Sequence, residues 1–206
     1  MAVSRIKTSS VLQGFPKSRS LLAGNAPYIP TDFESIQTAT GNGSSSTITF
    51  SSIPSTYKHL QIRSLYISTA GSNDRQNMLV KFNSDTTSTL PAHFLRGRSD
   101  GVAGYSDFRS SGNFVLWYSG YSSPSQSYLI GGVSIIDIHD YTSTIKNKTV
   151  RSFTGADDNN SVSGGSGIVL DSALWESTSA INSITLTSPS GNFATGSVFS
   201  LYGIKG

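Results

Sequence analysis

The side chains best able to do chemistry lie in one short string, Asp137-Ile138-His139-Asp140. In an extended strand, side chains two positions apart share a face. Asp137 and His139 would therefore point the same way at the end of an apolar stretch. A carboxylate beside an imidazole can act as a general acid and base or contribute to a metal site. The same residues also read as the polar end of a strand entering a loop through Tyr141, and this plainer reading is preferred. The other histidines, His59 and His93, are not closely spaced with His139 or with each other, and the chain has no cysteine. A zinc site is not expected.

Oxygen ligands for calcium are available in Asp157-Asp158-Asn159-Asn160. The segment lacks EF-hand periodicity, and an ordinary acidic turn is favoured. Glu34 and Glu176 are the only glutamates, and neither has the setting of a paired-carboxylate glycosidase. There is no Gly-x-Ser-x-Gly elbow and no phosphate-cradling glycine loop. Gly164-Gly165-Ser166-Gly167 reads as a flexible turn. The expectation is a chain with no enzymatic activity, no cofactor and no metal.

Aromatic residues carry a different signal. Tyr105, Phe108, Phe114, Trp117, Tyr118 and Tyr121 gather among Ser and Gly. Such mixtures suit adaptable contact surfaces, including sugar faces and subunit contacts. Phe114 and Trp117 are assigned to core or interface. Tyr105, Trp117, Tyr118 and Tyr121 are the candidate contacts to a host-surface glycan.

The elements that must position these residues follow from composition. Only 13% of the 206 residues are charged, well below the roughly 25% of a typical soluble domain. Ser and Thr make up more than a quarter. Their side chains compete with helical backbone bonds, whereas Thr, Val, Ile, Phe and Tyr suit a pleated, half-buried surface. Without cysteine there are no disulfides, so stability rests on packing and oligomerisation. No run approaches the ~20 apolar residues that span a bilayer, and the N-terminus lacks the apolar core of a signal peptide. The sequons at Asn42, Asn147 and Asn159 are by-products of Ser/Thr richness.

Residues 1–31 form an N-terminal arm. Arg5, Lys7, Lys17 and Arg19 precede the first acid, Asp32, and the remainder is near neutral. Four charges spread so thinly, with only Phe15 to stack, argue against nucleic acid as the partner. Val3, Ile6, Val11, Leu12, Phe15, Leu21 and Leu22 follow no sustained helical or strand period, and Pro16, Pro27 and Pro30 interrupt them. A disordered tail usually has few large apolar groups, so an arm that orders against a partner is expected. Its contacts would be Ile6, Leu12 and Phe15, with Lys17 and Arg19 at the rim.

Residues 32–206 form the body. Short strands and turns alternate at sandwich spacing, about ten in all. Strands are expected at 33–40, 47–50, 59–68, 77–83, 92–98, 114–118, 128–138, 149–154, 166–174, 181–187 and 197–204. Leu60 and Ile62 followed by Leu65 and Ile67 imply a bulge or bend within 59–68. Residues 98–113 read as a long surface loop, and 172–178 as one helical turn. Within 181–187, Ile184 and Leu186 are expected on opposite faces. Layer rules then give an all-β, antiparallel sandwich of jelly-roll type. Scarce charge and aromatic loops suggest a homo-oligomer, with three-fold favoured.

Three stretches carry a resemblance. They are Phe33-Glu34-Ser35-Ile36, the run Ser46-Thr47-Ile48-Thr49-Phe50-Ser51-Ser52-Ile53-Pro54-Ser55-Thr56-Tyr57-Lys58-His59-Leu60-Gln61-Ile62-Arg63, and Ser183-Ile184-Thr185-Leu186 with Phe199-Ser200-Leu201-Tyr202-Gly203-Ile204-Lys205. Together with the opening Arg5-Ile6-Lys7-Thr8-Ser9-Ser10 and Gln13-Gly14-Phe15-Pro16-Lys17-Ser18-Arg19-Ser20, they resemble virion structural proteins of tailed phages, a group frequent among phages of marine and cyanobacterial hosts. The resemblance spans most of the chain, with variable loops between Ser68 and Phe114. It implies a part of the virion, assembled in the host cytoplasm and released by lysis. The role expected is a tail appendage or fibre, or a capsid decoration, contacting other virion proteins. It supplies no catalytic residues.

Overall fold

Alternation at period two runs through most of the body, and the computed structural model turns it into twelve strands. It describes residues 32–71, 74–98, 101–109, 112–122, 131–157 and 166–206. The arm residues Ile6, Leu12, Phe15, Lys17 and Arg19 lie outside the described residues, as do Asp158, Asn159 and Asn160. In chain order the strands are β1 (Phe33–Thr40), β2 (Thr47–Phe50), β3 (His59–Ser68), β4 (Asp74–Phe82), β5 (Leu90–Arg98), β6 (Gly101–Arg109), β7 (Asn113–Ser122), β8 (Gly132–Ile138), β9 (Lys148–Ala156), β10 (Gly167–Trp175), β11 (Ile184–Thr187) and β12 (Val198–Ile204).

The strands make two layers within one hydrogen-bonded network. The large layer runs β1-β12-β3-β8-β9-β10-β5-β6, all antiparallel. The small layer runs β2-β11-β4-β7, also antiparallel. They join where Ile67 and Ser68 of β3 pair in parallel with Tyr121 and Ser122 of β7. Gly120 and Gly132 permit the close approach there: a Cβ on Gly132 would meet the Gly120 backbone at 2.6 Å, and one on Gly120 would meet the Tyr66 ring at 2.1 Å.

Successive strands interleave across the sandwich. β2, β4, β7 and β11 fall in the small layer, and β1, β3, β5, β6, β8, β9, β10 and β12 in the large one. This is the jelly-roll pattern, widened by β8 and β9 and extended at one edge by β12 and β1. The core is one cluster drawn from both layers. Phe50, Met78, Val80, Phe82, Phe114, Leu116, Ile184 and Leu186 face Leu60, Ile62, Ile136, Ile138, Val150, Trp175, Phe199 and Leu201.

Several expectations are corrected. Residues 98–113 are not a loop, because 101–109 form β6 and pair with β5 along nine positions. An edge strand needs no apolar alternation when the partner's backbone satisfies it, so its Gly and Ser content hid it. β3 carries no bulge, but it changes partner within its length, pairing with β12 as far as Leu65, with β8 as far as Tyr66, and with β7 at Ile67 and Ser68. Its pairing with β12 and β8 is continuous, with Tyr66 inside and Leu65 outside. The register shifts lie instead in β1, at Ser35/Gln37, and between β4 and β7, at Gln76/Met78. Ile184 and Leu186 share the buried face, as residues two apart in a strand must. Residues 172–175 complete β10, and no helix follows.

Candidate functional site

The outward face of the large layer is apolar where solvent should favour polar residues. Cross-strand register aligns its side chains in rows. One row reads Val198-Leu65-Val133-Gly155-Ile168-Gly97-Val102. The next reads Ser200-Arg63-Ile135-Phe153-Leu170-Leu95-Gly104. Their nine large apolar side chains are each 37–74% exposed. Their joint area, on the order of 800 Å², exceeds the ~300–600 Å² of the largest patch on a typical monomer. A third row, Tyr202-Gln61-Asp137-Arg151-Ser172-His93-Ser106, is polar and borders them.

Asp137 belongs to that polar border. It accepts a hydrogen bond from Gln61 Nε2 at 2.8 Å and lies in register with Arg151. His139 follows the end of β8, in a turn. Its ring meets the edge of His59 at 5.0 Å, and the structure gives no hydrogen bond between it and Asp137. Asp140 pairs with Lys146 at 2.9 Å and Lys58 at 3.1 Å. Hydrogen bonds from those two lysines hold its carboxyl down at about 2. Burial, then the neighbouring His139, lowers His59 from the ordinary imidazole value. These contacts tie a strand end together and leave no carboxylate on an imidazole. Among the described residues no three His, Asp or Glu side chains gather as a metal set. Asp157 accepts from Ser166 Oγ at 2.9 Å. Glu34 accepts from Tyr57 and Lys205, pinning β1 to its neighbours. Glu176 follows β10 on the surface.

The aromatic candidates divide. On the inward side of β5 and β6, beyond the small layer's core, Tyr105 stacks on Phe94 with centroids 5.0 Å apart, and Phe94 also meets Trp117 at 5.6 Å. Arg96 donates to the Tyr105 hydroxyl at 2.8 Å. Tyr118 and Tyr121, candidate glycan contacts in the sequence, are buried, at 6% and 3% exposed. Tyr118 sits where β4 and β7 lose register, at φ 54°. Its N–H donates to Asn77 Oδ1 at 3.3 Å, and Arg75 lies 4.5 Å from its ring centroid. These contacts hold a non-glycine residue in the sparsely populated left-handed region. Phe114 is core, and Trp117 is half-buried. The structure thus brings Tyr105, Trp117 and Tyr118 around Phe94 and Arg96, and leaves Tyr121 at the joint between layers. Neither Phe94 nor Arg96 stood out in the sequence, although both precede the Gly-rich turn into β6.

No family model, no curated protein and no solved structure matches this chain.

Proposed function

We propose that this chain is a non-enzymatic structural protein on the exterior of a tailed-phage particle, as a tail appendage or fibre or a capsid decoration. Residues 1–31 anchor it to other virion proteins. The observation that carries this reading is the outward face of the large layer, where nine large apolar side chains stand in two adjacent cross-strand rows. Solvent-facing sheets are normally polar on that side, so the face is suited to another protein. The resemblance to tailed-phage virion proteins and the Asp137, Asp140 and His59 contacts point the same way, toward assembly rather than turnover. The test is mass spectrometry of purified particles of the encoding phage. Hundreds of copies indicate the capsid, and a handful or dozens the tail. Absence from the particle sinks the reading.

A second reading rests on the Phe94, Tyr105 and Trp117 cluster, with Arg96 beside it. Tyr105 remains 41% exposed, and an aromatic face next to a guanidinium suits a sugar ring of the host surface. Reduced phage adsorption and lost glycan-array signal for Tyr105→Ala and Trp117→Ala support it. Unchanged adsorption for both variants removes it.

A further inference from the structure

We infer that the apolar face of the large layer is where a second copy of this chain docks. The inference rests on the assembly reading above and names the partner for that face.

Three observations select this occupant. The first is area. On the order of 800 Å² of apolar surface matches the ~800 Å² that each partner contributes to a standard stable interface. Covering it takes a body about as wide as the sheet itself.

The second is shape. The two rows hold ridges and hollows side by side. Phe153, Ile168 and Leu170 project, while Gly97, Gly104 and Gly155 present no side chain on the same face. A Cβ at Gly104 would meet nothing within 4 Å, whereas one at Gly97 or Gly155 would meet the Ile168 side chain at 3.3 or 3.4 Å. A surface with both features can seat a copy of itself, as inner faces interdigitate when two sheets pack about 10 Å apart.

The third is charge. Across the three rows the only carboxylate is Asp137, set against Arg63 and Arg151. The N-terminal arm of the chain carries four basic residues and no acid, and it would meet two guanidiniums for one carboxylate. A second copy brings both signs. Its Asp137 supplies an acceptor for Arg63 or Arg151 at the polar rim, where charge sets orientation more than affinity.

The experiment uses the purified full-length chain at tens of micromolar, with mass read by sedimentation or light scattering. Wild type is expected at two or more times the 21.8 kDa of one chain. Phe153→Asp and Leu170→Asp both lie on the outside of strands, so the core stays intact. Each is expected to give a chain of single mass with wild-type circular dichroism. A wild type of single mass, or variants that keep the wild-type mass, overturns the inference. So does a Leu12→Asp, Phe15→Asp double variant that dissociates as fully as Phe153→Asp, because the arm is then the occupant. Particle incorporation is read separately. A chain that incorporates yet never self-associates refutes this inference and leaves the virion reading standing.

Discussion

The indole N–H of Trp175, at the end of β10, donates to Asp85 Oδ2 at 2.9 Å. The other carboxylate oxygen accepts from the backbone and hydroxyl of Thr87 and from the backbone of Ser88. One side chain thereby orders the β4–β5 turn and fixes the largest fully buried residue of the core.

Asp85 is partly buried, which alone would raise its carboxyl; the bonds from Ser88, Thr87 and Trp175 outweigh burial and hold it well below the usual carboxylate range. A depressed carboxyl stabilises the fold above its unfolded value of 3.8, and that contribution is lost as pH falls through the folded value. Asp85→Asn should cost about 1–2 kcal/mol at pH 7, since bonds to a charged group are worth about 1.5–3. The deficit should shrink toward pH 2. Urea titrations at the two pH values measure it, and equal midpoints for both proteins at pH 7 would refute it.

Asp171 has the opposite sign. It is 2% exposed, accepts from Ser152 Oγ at 2.9 Å, and its second oxygen has no partner. Burial pushes its carboxyl from 3.8 up to about 7, partly opposed by the Ser152 bond. Below 3.8 both states hold the proton. As pH rises toward 7, the unfolded chain ionises first and the fold loses stability, by at most about 1.4 kcal/mol per pH unit. Above about 7 the loss levels off. In Asp171→Asn this decline should be absent, so the stability difference between variant and wild type should change steadily with pH, measured by urea midpoints from pH 4 to 8. A constant difference across that window would rule it out.

Gly120→Ala should destabilise the fold by about 2–3 kcal/mol, the upper range for overpacking. The added methyl would meet the buried Tyr66 ring, whose hydroxyl is hydrogen-bonded to Ser188. Gly104→Ala, which meets open space, is the control and should stay within about 0.5 kcal/mol. Thermal melts of the pair decide it; equal losses would contradict the close approach.

For the anchor, Phe15→Ala should lower incorporation into particles more than Lys17→Ala does. A large rigid side chain buries most area for least entropy, whereas a rim charge mainly orients. Quantified band intensities from purified particles read it, and a larger loss for Lys17→Ala would reverse the assignment.

Much of the body was legible from alternation alone. β1, β2 and β3 fall where the sequence placed them, because each pairs an apolar or β-branched face with turn residues at its ends. β6 was not, since its Gly and Ser content shows no apolar alternation and its pairing with β5 rests chiefly on backbone bonds. Tyr121 fell beyond the strand expected at 114–118 because the Ser and Gly around it read as loop, yet β7 runs on to Ser122 and both Tyr118 and Tyr121 are buried. The apolar face left a trace that went unused. Val133 and Ile135 alternate with buried Ile136 and Ile138, and Ile168 and Leu170 flank buried Val169. Such strands are apolar on both sides, on the exposed face as well as the core face.

The place of β12 between β1 and β3 bears on synthesis. Of the twelve strands, β1 leaves the ribosome first and β12 last, and among the described residues β1 has no other strand as hydrogen-bonding neighbour. For nearly the whole of translation its backbone bonds must go to water or to something transient. Zipping of that edge waits for the strand made last, so a chain stalled before residue 198 holds its first strand unpaired. A truncated product is thereby marked by a raw edge open to proteolysis.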